Sequence, residues 1–455
     1  MKQSSKISEY LKAVCEQIRW KKAHEVISKE IEDHIIDQKN AFVVNGLDEE
    51  TATERAIAEM GDPILVGSEF DRTHRPKIEW SIIILTGITL LMGLAIRIFI
   101  SYDFDMQWIL NKSIISIILG IGCMIIVYFL DFTTIGKYPR AFYFSILAIT
   151  IGIMIVSPAV NGRYQHVEFI LLLFPTAFAG IIYSMRSKGY LGIILSGGYV
   201  VVPIFIGRLI PSLSSAILYS VACLILITLA ILKGWFYVNK LKAMLLVYIP
   251  TVIIAMTNIY IYISKPYRLN RLRHAFNPSL DPMGGGYLGA IIKDIIKGAK
   301  FFDQGELTYS NGVKAVLPQI HTNSLLTYLI HEFGWISFII IMTVILTLII
   351  RFLRLCSKQK SVLGKLVSTS VLITFTIQVV LYVVFNLGFP LYSPLTLPLI
   401  SYDTTGTIIN MILIGIMLSV FKSGYLVRDN TITMRRKNNL FEVNDGKIII
   451  NLKSK

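Results

Sequence analysis

Charge is scarce in this chain. Only 16% of its 455 residues are Asp, Glu, Lys or Arg, against about 25% in soluble domains, which argues against an ordinary cytosolic enzyme. Cysteine is nearly absent: Cys15, Cys123, Cys223 and Cys356 show no metal-ligand or CxxC spacing and no readable disulfide framework. No signal-peptide h-region lies in residues 1–77, because charges recur every few residues from Lys2 onward. Disorder is excluded by what is plentiful, since 54% of the residues are hydrophobic and they spread along most of the chain.

The few charges are unevenly shared. Residues 1–77 hold 12 Lys+Arg against 15 Asp+Glu, a balance of −3; the remainder holds 32 against 14, a balance of +18. Two bodies with different solvents share the chain. The first reads as three short amphipathic helices, with Ile7, Leu11, Val14 and Ile18, then Val26, Ile27, Ile31 and Ile35, at helical spacing. Asn45-Gly46 ends the second helix, Asp48 caps the third, and Gly61-Asp62-Pro63 breaks the chain before a short helical turn. So small a helical domain has a small core and is expected to lean on a cytoplasmic partner or on the membrane.

A bilayer core of about 30 Å needs about 20 apolar helical residues. Ten runs qualify: 80–100, 113–130, 141–160, 167–184, 190–209, 214–232, 243–264, 324–350, 362–386 and 404–422. The expected fold is therefore all-α, a polytopic membrane protein of about ten transmembrane helices. It comprises a cytoplasmic helical prefix domain (1–77), a membrane domain (78–423) and a basic tail (424–455). Alternate short loops carry Lys137 and Arg140; Arg186 and Lys188; Lys233, Lys240 and Lys242; and Arg351, Arg354, Lys358, Lys360 and Lys365. The intervening loops carry Lys112, Arg163 and Arg208, with no cation near 387–403. The richer set is expected to face the cytoplasm, with both termini inside, in agreement with Arg435, Arg436 and Lys437. The segment 265–323 is then the one long connection outside.

That outer segment opens with Lys265, Arg268, Arg271 and Arg273, followed by turn chemistry from Asn277 to Tyr287. Residues 287–302 place Ile291, Ile292, Ile295, Ile296 and Ala299 on one helical face and Lys293, Lys297 and Lys300 on another, the pattern of an interfacial helix. Arg271, Arg273 and these lysines can hold a lipid pyrophosphate, or simply anchor the helix to anionic lipid. At the mouth of the eighth span stands Leu317-Pro318-Gln319-Ile320-His321-Thr322-Asn323, where Thr322 or Asn323 can cap the helix. His331 and Glu332 fall deeper in that run. A carboxylate in lipid is costly, so Glu332 is a functional candidate or half of a structural ion pair. In the tail, Leu440–Val443, Asn444-Asp445-Gly446 and Lys447–Ile450 read as a hairpin.

These residues resemble the SEDS family (FtsW, RodA and SpoVE proteins), ten-span glycosyltransferases that polymerise lipid II into peptidoglycan. The likeness covers most of 80–423 and is carried by several short matches in order. These are Arg271…Asn277-Pro278…Asp281-Pro282…Gly284-x-Gly286-Tyr287, Leu317-Pro318…His321-Thr322, Glu332-Phe333-Gly334, Gln378, Gly388 and Pro398-Leu399-Ile400-Ser401-Tyr402. Residues 1–77 look like the helical prefix of some membrane permeases, through Glu30…Asp33-His34 and Ala58–Pro63. The resemblance implies a bacterial plasma-membrane protein of wall synthesis, cell shape, division or sporulation. It implies lipid II or a related undecaprenyl-linked precursor as ligand and a class B penicillin-binding protein as partner; nothing points to nucleic acid. It assigns sugar or pyrophosphate contacts to Arg271, Arg273, Lys293, Lys297, His321, Thr322 and Ser401. It allows a divalent cation, Mg²⁺ or Mn²⁺, although no metal-ligand spacing is present.

The departures fall on the chemistry. The family's Leu-Pro-Glu-x-His-Thr-Asp ends in the presumed catalytic base, and here its two acids are Gln319 and Asn323. An amide has no basic site to take the acceptor hydroxyl's proton, and general-base help is worth about 10²–10⁴-fold. The family's Ser-Tyr-Gly-Gly-Ser becomes Ser401-Tyr402-Asp403-Thr404-Thr405, and of its Asn-Gly…Pro-Ser-Glu-x-Ala-Lys run only Asn161-Gly162 and Pro175–Gly180 remain. The favoured expectation is a lipid-precursor binder with weak or no polymerase activity. A divergent polymerase using Asp281, Asp303, Glu306 or Asp403 as substitute base is the alternative. A flippase ranks below both, because the polar groups cluster at the mouth and not at the midplane where transporters bind.

Overall fold

The computed structural model describes residues 2–74, 78–104, 106–157, 164–209, 212–306, 317–423, 441–444 and 447–450. The sequence expectations at Asn161-Gly162-Arg163, Arg435–Lys437 and Asp445-Gly446 lie outside the described residues, as does the side chain of Arg208.

The N-terminal residues form α1 (Lys2–Gln17), α2 (His24–Val44), α3 (Glu49–Met60) and α4 (Pro63–His74). They close on their own core, built from Val14, Ile18, Ile27, Ile31, Ile35 and Ala56. Gly46, at φ +95°, follows the end of α2. Asp48 caps α3, its Oδ2 accepting the Thr51 N–H at 3.0 Å. The expected short turn after Gly61 is instead a full 12-residue helix. Asp62 Oδ1 accepts the Ile64 N–H at 2.8 Å and Pro63 fills the first position, a pairing that starts helices well.

The apolar part continues as α5 (Trp80–Phe104), α6 (Gln107–Phe129), α7 (Thr133–Lys137), α8 (Pro139–Val156), α9 (Gln165–Ile170) and α10 (Phe174–Met185). Then come α11 (Gly189–Leu209), α12 (Leu213–Leu232), α13 (Lys240–Ile263), α14 (Pro266–Phe276) and α15 (Tyr287–Lys297). The last are α16 (Leu325–Phe333), α17 (Trp335–Lys358), α18 (Val362–Asn386) and α19 (Thr404–Ser423). Among the described residues nine helical segments are long and apolar enough to cross a membrane. The fourth, His166–Gly207, counts 42 residues, about twice a bilayer's thickness as one straight helix. It bends at Gly189, where φ is +57°, and α10 packs back on α11. Its two legs correspond to the expected runs 167–184 and 190–209. The tail strands β1 (Phe441–Asn444) and β2 (Lys447–Ile450) pair antiparallel, as the sequence predicts.

Two expectations need correction. The eighth span does not run 324–350. Gly334, at φ +79°, separates the short α16 from α17, and a Cβ there would stand 2.6 Å from Phe301 O. The N–H groups of Trp335 and Ile336 donate to Lys300 O and Phe301 O at 3.0 and 3.1 Å, so a neighbouring loop, not a preceding helical turn, satisfies the start of α17. His331 and Glu332 therefore precede the span instead of lying within it. The isoleucine face of α15 also does not rest in head groups. Ile291, Ile292 and Ile295 are buried in a protein core with Leu325, Leu326 and Leu329 of α16.

The segment 387–403 is irregular yet threaded into the bundle, with Leu395, Leu397, Leu399 and Ile400 buried. Two features of α5 admit it. Arg97, buried in an otherwise apolar helix, donates from Nη2 to Leu399 O (3.2 Å) and Ser401 O (2.9 Å). One turn earlier Gly93 lets the backbone in, for a Cβ there would sit 2.5 Å from Leu399 O. Gly93→Ala is expected to cost about 1–3 kcal/mol by overpacking and to lower the unfolding temperature in detergent by a few degrees. Gly87→Ala on the same helix, with nothing within 4 Å, is expected to leave it unchanged; equal midpoints for the two variants would contradict the close approach.

Candidate functional site at one end of the bundle

One end of the bundle gathers the finishes of α5 and α18 and the starts of α6, α16 and α19. Its centre is the turn 319–324 before α16. Gln319 stands at φ +52°, and the Ser324 N–H folds back to its carbonyl at 3.2 Å. Asn386, the last residue of α18, ties this turn down. Its Nδ2 donates to Asn323 O at 2.9 Å, while its Oδ1 accepts the Thr327 N–H at 3.0 Å. Asn386 thus caps α16 from another helix, a role that sequence reasoning gave to Thr322 or Asn323. Tyr382 Oη donates to Thr322 O at 2.8 Å and fixes the turn from below.

With its backbone so held, the Asn323 side chain is turned to neutral partners. Its Nδ2 donates to Gln319 Oε1 and, at 3.2 Å, to Ser393 Oγ. The amide is thus used as a donor, which a carboxylate at this position could not be. His321 joins a different set: its ring lies 6.1 Å from that of Trp108 and 5.8 Å from that of Tyr402, whose own N–H donates to His321 O at 2.9 Å. Trp108 and Tyr402 meet edge to face at 5.6 Å, with Lys112 Nζ 5.4 Å from the Trp108 ring. Burial lowers the His321 pKa, and its Nδ1 has no hydrogen-bond partner among the described residues. A neutral imidazole with a free nitrogen results, able to accept from or donate to a ligand hydroxyl according to tautomer.

The remaining expected residues are scattered. Arg271 and Arg273 are exposed on α14 and form no ion pair among the described residues. Lys297 is exposed on α15. Lys293 is partly enclosed, donating to Phe276 O at 3.2 Å and lying 5.2 Å from the Phe389 ring. Ser401 faces inward, its hydroxyl accepting the Leu397 N–H at 2.6 Å. Glu332 pairs with His331 Nδ1 at 3.2 Å and accepts from Gln304 Nε2 at 3.1 Å, which supplies the partners the sequence left unnamed. Asp281 is bound up in its own loop, 3.7 Å from His274 Nδ1 and accepting the Gly285 N–H at 2.7 Å. Glu306 pairs with Lys300 at 3.2 Å. Among the described residues no three His, Cys, Asp or Glu side chains converge.

Asp403 is the acid nearest the His321 cluster in sequence, following Tyr402. It starts α19, Oδ1 accepting the Gly406 N–H. Burial pushes its pKa up to about 7, with the Glu168 charge adding to the rise while Gly406 and Arg97 oppose it. Sequence reasoning missed Arg97 and Glu168. The signal was present, since each is a lone charge within or beside an apolar run.

Comparison with known proteins gives consistent results. A family model described as FtsW/RodA/SpoVE, cell cycle protein, matches residues 76–425. A probable peptidoglycan glycosyltransferase FtsW of Trichlorobacter lovleyi is 27% identical over 162 residues, 36% of this chain and 42% of that protein. One of Coxiella burnetii is 26% identical over 266 residues, 56% and 67% of the two lengths. The peptidoglycan glycosyltransferase MrdB of Escherichia coli is 23% identical over 227 residues, 49% and 59%. The chain thus spans roughly half the length of most curated relatives it matches. A chain from a solved peptidoglycan synthase complex that coordinates polymerization and crosslinking superposes with a TM-score of 0.59 at 16% identity, covering 76% of this chain and 98% of that one; at this identity the likeness is one of fold.

The pH behaviour of Asp403 can be checked directly. Its pKa in the folded protein, about 7, exceeds the ordinary 3.8, so the folded state binds the proton more tightly. Its contribution to stability is then full below about pH 4 and is lost as pH rises towards 7, with no further change above. Asp403→Asn keeps the capping oxygen and is expected to flatten that part of the unfolding-temperature profile between pH 5 and 8. An identical slope in the variant would show that the carboxyl is not shifted.

Proposed function

The chain belongs to the FtsW/RodA/SpoVE family of cell-cycle membrane proteins, and from that premise we propose that its Asn323 end receives a polyprenyl-pyrophosphate sugar of the lipid II type. The charge bias of the loops supports an orientation with this end outside and both termini in the cytoplasm of a bacterial plasma membrane. In this reading Arg271, Arg273, Lys293 and Lys297 are the phosphate-binding cations, guanidinium being suited to bidentate contact with phosphate oxygens. His321 and Thr322 orient the sugar. A class B penicillin-binding protein is the partner that the family points to, and α1–α4 offer a separate surface to a cytoplasmic partner.

The observation that carries the mechanistic part is the state of Asn323. Attack of an acceptor hydroxyl on the anomeric carbon needs somewhere for its proton to go. At position 323 stands an amide whose hydrogen-bond partners, Gln319 and Ser393, are neutral as well. The site can hold and orient a hydroxyl there but cannot deprotonate it. Binding is retained in this reading, and polymerisation is weak or absent. One observation favours a second reading, in which the chain is a slow polymerase: Asp403, beside Tyr402, has a pKa of about 7, within the range of a working general base.

The test uses full-length protein in nanodiscs with fluorescent lipid II. Retention of lipid II is expected, weakened at least tenfold in Arg271→Gln/Arg273→Gln, together with glycan synthesis at background. Asn323→Asp is expected to raise synthesis by about 10²-fold or more, the usual worth of a base. Failure to retain lipid II overturns the binding assignment. Wild-type synthesis abolished by Asp403→Asn moves the conclusion to the slow polymerase.

A further inference from the structure

At the opposite end of the bundle the chain builds a second cationic hollow. A cavity of about 410 Å³ opens between α7, the start of α8 and the end of α10, lined by Gly136, Lys137, Tyr138, Pro139, Arg140 and Ala141, with Ser184, Met185 and Lys188 across from them. Three of the nine lining residues are cations and none is acidic. Asp131 of the adjoining loop is not among the lining residues; its Oδ1 accepts the Thr133 N–H at 3.1 Å. The other nearby cation is also engaged: Arg186 stacks 3.7 Å from the Tyr183 ring and donates to Tyr183 O at 2.9 Å. Lys137, Arg140 and Lys188 form no ion pair among the described residues. All three are exposed, Lys137 with its Nζ 5.3 Å from the Tyr138 ring, and an anion seated among them would be attracted by each.

Two glycines bring the walls of the hollow close together. Gly180 admits Ile135 so closely that a Cβ there would lie 2.8 Å from Ile135 O, which wedges α7 against α10. At Gly136 a Cβ would lie 2.5 Å from the end of the Leu363 side chain of α18. Below the cations the surface turns apolar. Phe144, one turn along α8 from Ala141, is 52% exposed, and Leu191, one turn along α11 from Lys188, is 59% exposed. Cations at the hollow with exposed apolar side chains a helical turn away suit a molecule that is both charged and apolar, and a free phosphate would use only the cations.

We infer that this hollow is a seat for an anionic phospholipid, its phosphates held by Lys137, Arg140 and Lys188 and its acyl chains running along Phe144 and Leu191. Three cations within one cavity favour a headgroup with two phosphates over one with a single phosphate. Under the orientation argued above, the seat lies in the inner leaflet, but it does not depend on the chemistry at Asn323.

The experiment is native mass spectrometry of the full chain released from detergent, titrated with cardiolipin, phosphatidylglycerol and phosphatidylethanolamine. Cardiolipin adducts are expected to persist at the highest collision energy. Lys137→Gln/Arg140→Gln/Lys188→Gln is expected to weaken them at least tenfold, while Lys358→Gln/Lys360→Gln, the same kind of change outside the hollow, leaves them intact. Soluble pyrophosphate is expected to compete only at far higher concentration. Equal retention of cardiolipin by both variants overturns the site, as does equal retention of phosphatidylethanolamine by the wild type. Competition by pyrophosphate at the lipid's own concentration overturns the lipid and leaves an ion site. A measurement without variants uses spin-labelled cardiolipin: an immobilised fraction that falls with salt supports the seat, and its absence removes it. Loss of lipid II binding alone would touch the Asn323 reading and not this one.

Discussion

A buried backbone group left unsatisfied costs free energy comparable to a lost hydrogen bond, so irregular chain inside a helical bundle survives only where protein supplies its partners. The segment 387–403 meets that demand with side chains from helices far away in sequence. Arg97 of α5 takes the carbonyls of Leu399 and Ser401, Gln378 of α18 donates to Thr396 O at 2.8 Å, and the Ser401 hydroxyl closes the turn on Leu397. Gly93 removes the one Cβ that would block the approach. From this seat the neighbouring parts follow: Tyr402 is placed to bond His321 O, Asp403 to start α19, and Ser393 to receive the Asn323 amide. A buried guanidinium in a membrane helix is expensive alone; here its cost is offset by the carbonyls it satisfies.

The same economy governs the turn at 319–324. Asn386 and Tyr382 of α18 hold its backbone, and the Tyr402 N–H adds a bond to His321 O, so much of the loop's shape is set by side chains on a distant helix. A turn held in this way keeps its form whether position 323 carries an amide or a carboxylate, because these bonds reach its backbone and not that side chain.

Much of the fold was legible in the residue string. Ile27, Ile31 and Ile35, spaced for one helical face, are all buried in the N-terminal core. The runs from Trp80 to Ser423 became helices close to the expected limits, since hydropathy summed over twenty residues is large compared with any local preference. The misreadings share a cause. Gly334 lies inside an apolar stretch that hydropathy alone cannot divide, and the break became visible only when Lys300 and Phe301 presented carbonyls to the start of α17. The amphipathic face of α15 was correctly seen as apolar but wrongly given to head groups, because periodicity tells that a face must be covered and not by what.

The sequence by itself determined which runs are apolar enough to leave water, which loops carry cations, and that position 323 offers an amide. Those properties are local, and they add along the chain whatever surrounds it. Only the tertiary structure decided which partners those residues meet: Arg97 with carbonyls 302 and 304 residues away, Asn386 with a turn 63 residues before it, and three cations around a hollow with no acid to neutralise them. Hydrogen-bond geometry and burial are properties of neighbours in space, so the state of Asn323, the proton affinity of Asp403 and the open charge of the second hollow could be read only once the helices were packed.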